Sequence, residues 1–166
     1  MKIENLYTMG CRMTYQLIEK VAFTVIGKAT TIIEKRKYAM LPQFWDDCKR
    51  DGTINKLLGP CGSRPIIGVG ENGNVNGTFI YMIGIESETA NIDGMKVMTI
   101  PKSTWAVFEP VLSEPRYVGP VWEYIFSDFL PNGEYKHANT PDLEVNYRIG
   151  IEQYTCEIWI PVVKKS

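Results

Sequence analysis

The sequence predicts an α+β fold of two pseudo-symmetric β-α-β-β units that form an antiparallel sheet, with two main helices on one face. Two observations predict it. An extended run, an amphipathic helix and two further extended runs occur in that order twice along the chain. A single shift of 77 positions also sets Trp45 on Trp122, Ile66 on Leu143 and Phe79 on Cys156, which aligns a helix and both strands of a hairpin. At 166 residues the chain is one domain's length, enough to bury about 70% of its unfolded surface. Residues 1–14 read as an N-terminal extension and 15–166 as the domain, with repeat halves near 15–90 and 91–166.

Residues 15–31 form a β-branched and aromatic run, read as one strand interrupted near Gly27. Pro42 suits a first helical turn, and Leu41, Phe44, Trp45 and Cys48 fall at the spacing of one apolar face, with Gly52 as the stop. Two β-rich runs, 65–69 and 78–86, flank a loop of Gly and Asn able to supply positive φ, which makes a hairpin. In the second half, residues 95–111 are strand material. Pro120 opens a helix carrying Val121, Trp122, Ile125, Phe126 and Phe129, Pro131 ends it, and the runs 143–149 and 154–163 close the chain.

Charge and composition exclude several functions. A net charge of −1 leaves no basic excess for a phosphate backbone, so nucleic acid is not an expected partner. No stretch approaches the roughly 18 to 20 apolar residues of a membrane span, and a cytoplasmic location is expected. Cys11, Cys48, Cys61 and Cys156 match neither a zinc framework nor a disulfide scaffold and read as free thiols. The single histidine, His137, lies in a polar run and reads as a solvated loop residue, so neither a metal nor a cofactor is expected. Asp46 and Asp47 point about 100° apart on a helix and suit a solvated face. The segment G-V-G-E-N-G at 68–73 matches a dinucleotide fingerprint in letters only, because a strand follows where a helix N-terminus is needed.

The pattern D-L-E-V-N-Y-R at 142–148 alternates apolar Leu143, Val145 and Tyr147 with polar Asp142, Glu144, Asn146 and Arg148. Two readings fit: the wet side of an edge strand, or a carboxylate at the base of a cavity. Four Trp, nine Tyr and six Phe bear on the choice, since rings around one carboxylate favour flat, apolar, positively charged molecules, although a dense aromatic core reads the same.

These residues resemble the GyrI-like effector-binding domain, the small-molecule module of AraC-type and multidrug-responsive transcription regulators. The marks are F-T-V-I-G-K at 23–28, Q-F-W-D-D at 43–47, I-I-G-V at 66–69, W-A-V-F-E at 105–109, V-W-E-Y-I-F-S-D-F-L-P at 121–131, P-D-L-E-V at 141–145 and C-E-I-W-I-P-V at 156–162. The resemblance implies two β-α-β-β units about a pseudo-twofold axis with a central ligand channel. It implies a buried glutamate, here Glu144, that meets lipophilic cations, and aromatic walls, for which Trp122, Phe44, Trp45, Tyr81 and Trp105 are the candidates. Two positions depart from it: Asn146 and Ile67 stand where many relatives have Tyr.

The expected function is therefore capture of a hydrophobic, positively charged small molecule by an effector or drug-sensing domain. Two alternatives accompany it: hydrolysis of cyclopropane-type toxins in the same pocket with Glu144 as the working carboxylate, and a gyrase-inhibitor-like protein-binding role. A protein partner or a second copy of the chain is compatible with all three. About fourteen residues before Tyr15 are too few for a DNA-reading helix-turn-helix, so direct transcriptional control is not expected.

Overall fold

The computed structural model describes residues 13–59, 64–71, 76–88 and 91–166. Most of the N-terminal extension, Cys11, Cys61 and the end of the 68–73 glycine segment lie outside the described residues. The fold is α+β. Ten strands, paired antiparallel, make one sheet: β1 (Tyr15–Lys20), β2 (Phe23–Ile33), β3 (Ile66–Gly70), β4 (Thr78–Glu86), β5 (Lys96–Ile100), β6 (Ser103–Phe108), β7 (Val111–Leu112), β8 (Tyr135–His137), β9 (Asp142–Gly150) and β10 (Gln153–Lys164). Eight follow the order β1-β6-β10-β9-β3-β4-β2-β5, while β7 and β8 also pair with β10. The main helices are α1 (Lys37–Arg50) and α3 (Pro115–Tyr124). A short α2 (Thr53–Leu58) follows α1, and α3 runs on through a π-helical turn (Ile125–Phe129) into the short α4 (Leu130–Asn132).

Several boundaries differ from the sequence reading. The break in the first β run falls at Val21 and Ala22, because β1 pairs with β6 whereas β2 pairs with β4 and β5. Gly27 lies inside β2, opposite Gly84, in an unbroken ladder. Both main helices begin five residues before the proline expected to open them. Pro42 and Pro120 are tolerated inside because each is exposed, as are Tyr38 and Arg116, whose carbonyls these prolines cannot bond. Gly52 is the helix stop as read, at φ 86°. His137 is not a solvated loop residue: it sits in β8, mostly buried, with its ring bonded to Asp142.

The ladders relate the halves by a local twofold axis. Strands β2-β4-β3 on one side of the centre correspond to β6-β10-β9 on the other, and β3 meets β9 between them. There Gly68 pairs with Glu144, Ile66 with Asn146 and Gly70 with Asp142, so the axis passes through the Gly68–Glu144 pair. The equivalence is thus 76 positions on β3 and β9 (144 − 68), and 75 on β4 and β10 (158 − 83), since Gly68 pairs with Ile83 and Glu144 with Ile158. The shift of 77 is corrected accordingly. It would set Ile66 on Leu143, but Ile66 packs in the cluster under α1 and Leu143 in the cluster on the opposite face. A one-residue slip exchanges faces.

Three clusters form the core. One joins α1 and α2 to β2, β3 and β4 through Phe44, Cys48, Leu57, Ile66, Tyr81 and Ile83. A second joins α3 and its π-helical turn to β6 and β10 through Val121, Ile125, Phe129, Phe108, Ile158 and Ile160. The third, around Val25, Val69, Trp105, Val107, Leu143 and Val145, lies on the face without helices and is nevertheless buried. The reason is curvature. The two residues between β1 and β2 span about 11 Å at most, whereas six strand spacings in a flat sheet would separate β1 from β2 by about 29 Å. The sheet therefore rolls towards a partial barrel, and Lys20 at the end of β1 reaches Glu86 at the end of β4 at 2.7 Å.

Candidate functional site

The helices sit on either side of the sheet's centre. Each packs on its own half of the sheet rather than on the other, which leaves the central β3–β9 ladder between them. Gly68 and Glu144 face this side. An amphipathic helix presents only one stripe to its sheet, and Trp45 on α1 and Trp122 on α3 occupy the inner flank of theirs. Both are half-buried and both reach the central pair.

The contacts form a chain of neutral donors ending on the carboxylate. Trp45 Nε1 donates to Tyr81 Oη at 3.0 Å, Tyr81 Oη donates to Glu144 Oε1 at 3.3 Å, and the Trp122 side chain hydrogen-bonds Glu144 from the second half. Tyr81 belongs to β4, one strand beyond β3, so its ring must cross β3 to reach Glu144. It can do so because residue 68 is glycine: a Cβ there would lie 2.2 Å from Tyr81 Oη and 3.3 Å from Trp45 Cζ2. Phe44 stands behind, its ring edge-on to Tyr81 at 6.3 Å, and Phe126 stacks on the outer side of Trp122 at 5.9 Å.

Burial pushes the Glu144 carboxyl pKa above its ordinary value. The Trp122 and Tyr81 hydrogen bonds pull it back in part, and the nearby Asp142 charge adds to the rise. Among the described residues no lysine, arginine or histidine pairs with this carboxylate, whose side-chain hydrogen bonds come from Tyr81 and Trp122. Tyr81, fully buried, has its hydroxyl pKa driven up by the same desolvation and by Glu144, and so stays a neutral donor. The wet-edge reading of Glu144 is thereby set aside: β9 is central, between β10 and β3.

Four of the six candidates, Glu144, Trp122, Trp45 and Tyr81, come together directly, and Phe44 backs them. Trp105 does not join them. It is fully buried on the opposite face, with Phe23 and Trp159, because the side chains of β6 alternate and Ala106 and Phe108 take the helix side. Asn146, at a position that departs from the family pattern, is a buried brace: its Nδ2 donates to the carbonyls of Ile66 and Glu144, and its Oδ1 accepts from Ser113 Oγ at 2.8 Å. Ile67 faces away from Glu144. Sequence reasoning missed Gly68, Ser113 and Phe126. The available signal for Gly68 was a glycine between Ile67 and Val69 inside a strand, which marks close approach of another group.

A family model of integron-associated effector-binding proteins, Cass2, matches residues 16–162. The chain belongs to this family. Among curated proteins none matches it. Of solved structures, SAV2435 bound to tetraphenylphosphonium is 25% identical with a TM-score of 0.74, covering 91% of this chain and 94% of that one. A putative bacterial transcription regulation protein from Staphylococcus aureus MU50 is 26% identical with a TM-score of 0.72, covering 91% and 99%. An integron cassette protein from the mobile metagenome of Vibrio cholerae, 19% identical with a TM-score of 0.68, covers 90% and 95% and shares the fold. The family match and these neighbours agree with the effector-binding kinship read from the sequence motifs.

Proposed function

We propose that this protein captures a lipophilic, positively charged small molecule between α1 and α3, with Glu144 as its counter-ion and Trp45, Tyr81 and Trp122 as aromatic surfaces. The observation that carries the reading is a partly buried carboxylate at the centre of the sheet, among aromatic rings, with no cationic partner among the described residues. Such a group is costly when empty and repaid by a matching cation, because Coulomb attraction strengthens where water is excluded. Ring faces add attraction for the same charge. The tetraphenylphosphonium carried by a 25% identical structural relative is a cation of this class. A permanently charged, aryl-shielded ion suits the site better than an ammonium, which would forfeit more hydration on entry.

The test is titration of the full chain with tetraphenylphosphonium, followed by tryptophan fluorescence and calorimetry, beside the uncharged triphenylphosphine oxide. The expected result is a one-to-one complex with the cation, a changed emission from Trp45 and Trp122, and weaker binding of the neutral compound. Equal affinity for both compounds, or no complex with the cation, overturns the proposal.

A further inference from the structure

We propose that the inner face of the rolled sheet holds a second small-molecule site, for an amphipathic monoanion, behind the ladder that carries Glu144. A groove of about 320 Å³ opens at the end of the roll where β1 runs into β2, within the range of about 300–1,000 Å³ typical of small-molecule sites. Its walls are Phe23, Ile67, Leu143, Val145 and Trp159, members or neighbours of the helix-free core cluster. Leu143 and Val145 flank Glu144 on β9 but point the other way, so the two sites share a strand and no side chain.

The mouth carries the chemistry. Lys20 and Glu86 pair there at 2.7 Å and offset each other. Arg64, exposed two residues before β3, forms no ion pair or side-chain hydrogen bond among the described residues, so its charge is the unmatched one in the lining. Glu157, outside the lining, is occupied by the Trp159 indole at 3.3 Å and the Tyr147 hydroxyl, and so does not answer Arg64. Behind these walls the Trp105 ring packs against Phe23 and Trp159, its buried indole N–H without a hydrogen-bond partner among the described residues. An apolar pocket with a free guanidinium at its rim favours a flat apolar body ending in a carboxylate or sulfonate. The planar fork of arginine binds such groups through two parallel bonds. A cation would meet the unmatched Arg64 at the entrance and be repelled.

The probe is 8-anilinonaphthalene-1-sulfonate, titrated into the full chain beside its uncharged counterpart N-phenyl-1-naphthylamine. The expected result is one sulfonate per chain. Loss of a charge-assisted hydrogen bond in Arg64→Ala should weaken it about tenfold or more, with the neutral probe unchanged and Arg64→Lys partly retaining affinity. Arg64 is exposed, and a melting curve confirms that the variant folds. Glu144→Gln should leave sulfonate affinity unchanged, and saturating tetraphenylphosphonium should not displace the probe. Absence of sulfonate binding, indifference to Arg64→Ala, or loss of the probe in Glu144→Gln each overturns the proposal. The Arg64 comparison stands whether or not tetraphenylphosphonium binds the other face.

Discussion

Replacing Glu144 with glutamine should weaken cation binding and strengthen folding at once. The amide keeps the shape of the carboxylate and an oxygen for the Tyr81 and Trp122 donors, and removes only the charge. An aryl-shielded cation cannot bring its centre much closer than about 6 Å to the carboxylate, and at an effective dielectric near 20 that pair is worth about 2.8 kcal/mol, or about 100-fold in affinity. A neutral ligand of similar size should change by no more than about threefold, since its contacts survive. Stability should move the other way. The folded-state pKa of Glu144 lies above its unfolded value, so its stabilising contribution is full below the unfolded pKa and is lost as pH rises through the folded one. At pH 7.5 the ligand-free variant should therefore melt higher than the parent, and the gap should close as pH falls towards the unfolded value. Calorimetric titration and thermal melts at several pH values check both. A variant that melts lower at pH 7.5, or loses neutral and charged ligands equally, refutes a desolvated counter-ion.

Trp122→Phe keeps a ring but removes a hydrogen bond that lowers the Glu144 pKa, so the pH below which tetraphenylphosphonium binding fades should move upward, as titrations across pH will show. Gly68→Ala places a Cβ 2.2 Å from Tyr81 Oη; overpacking of this kind costs about 1–3 kcal/mol. That variant should melt lower and show altered tryptophan emission, whereas unchanged melting would mean that Tyr81 does not cross the glycine. Burial holds the Cys48 and Cys156 thiols above their ordinary pKa. With Cys11 and Cys61 replaced by serine, neither remaining thiol should react with a disulfide reagent until the protein is unfolded.

The larger periodicities were legible because they are properties of pattern. Leu41, Phe44, Trp45 and Cys48 mark a helix face whatever it packs on, and the hairpin at β3 and β4 follows from its turn residues. Register was not legible. Equivalence by resemblance set Ile66 on Leu143, while the ladder centred on Gly68 and Glu144 sets it on Asp142, and only the pairing across β3 and β9 decides which side chains share a face. The same limit governs the site. Trp45 and Trp122 were found because they recur in two similar helices, but Trp105 was grouped with them by residue type and lies on the other side of the sheet. Glu144 rested on family likeness, since an alternating D-L-E-V-N run looks alike on an edge strand and a central one. Gly68 is the opposite case, a residue whose part is to leave room, and the ring that fills the space comes from Tyr81, 13 positions further along the chain.

The most direct test is the carboxyl pKa of Glu144, followed by carbon NMR of selectively labelled protein in the free state and with saturating tetraphenylphosphonium. The expected values are one above that of an ordinary glutamate in the free protein and a clear fall on addition of the cation, because the bound charge favours the ionised form. A carboxyl that titrates normally when free and does not respond to the cation contradicts the account.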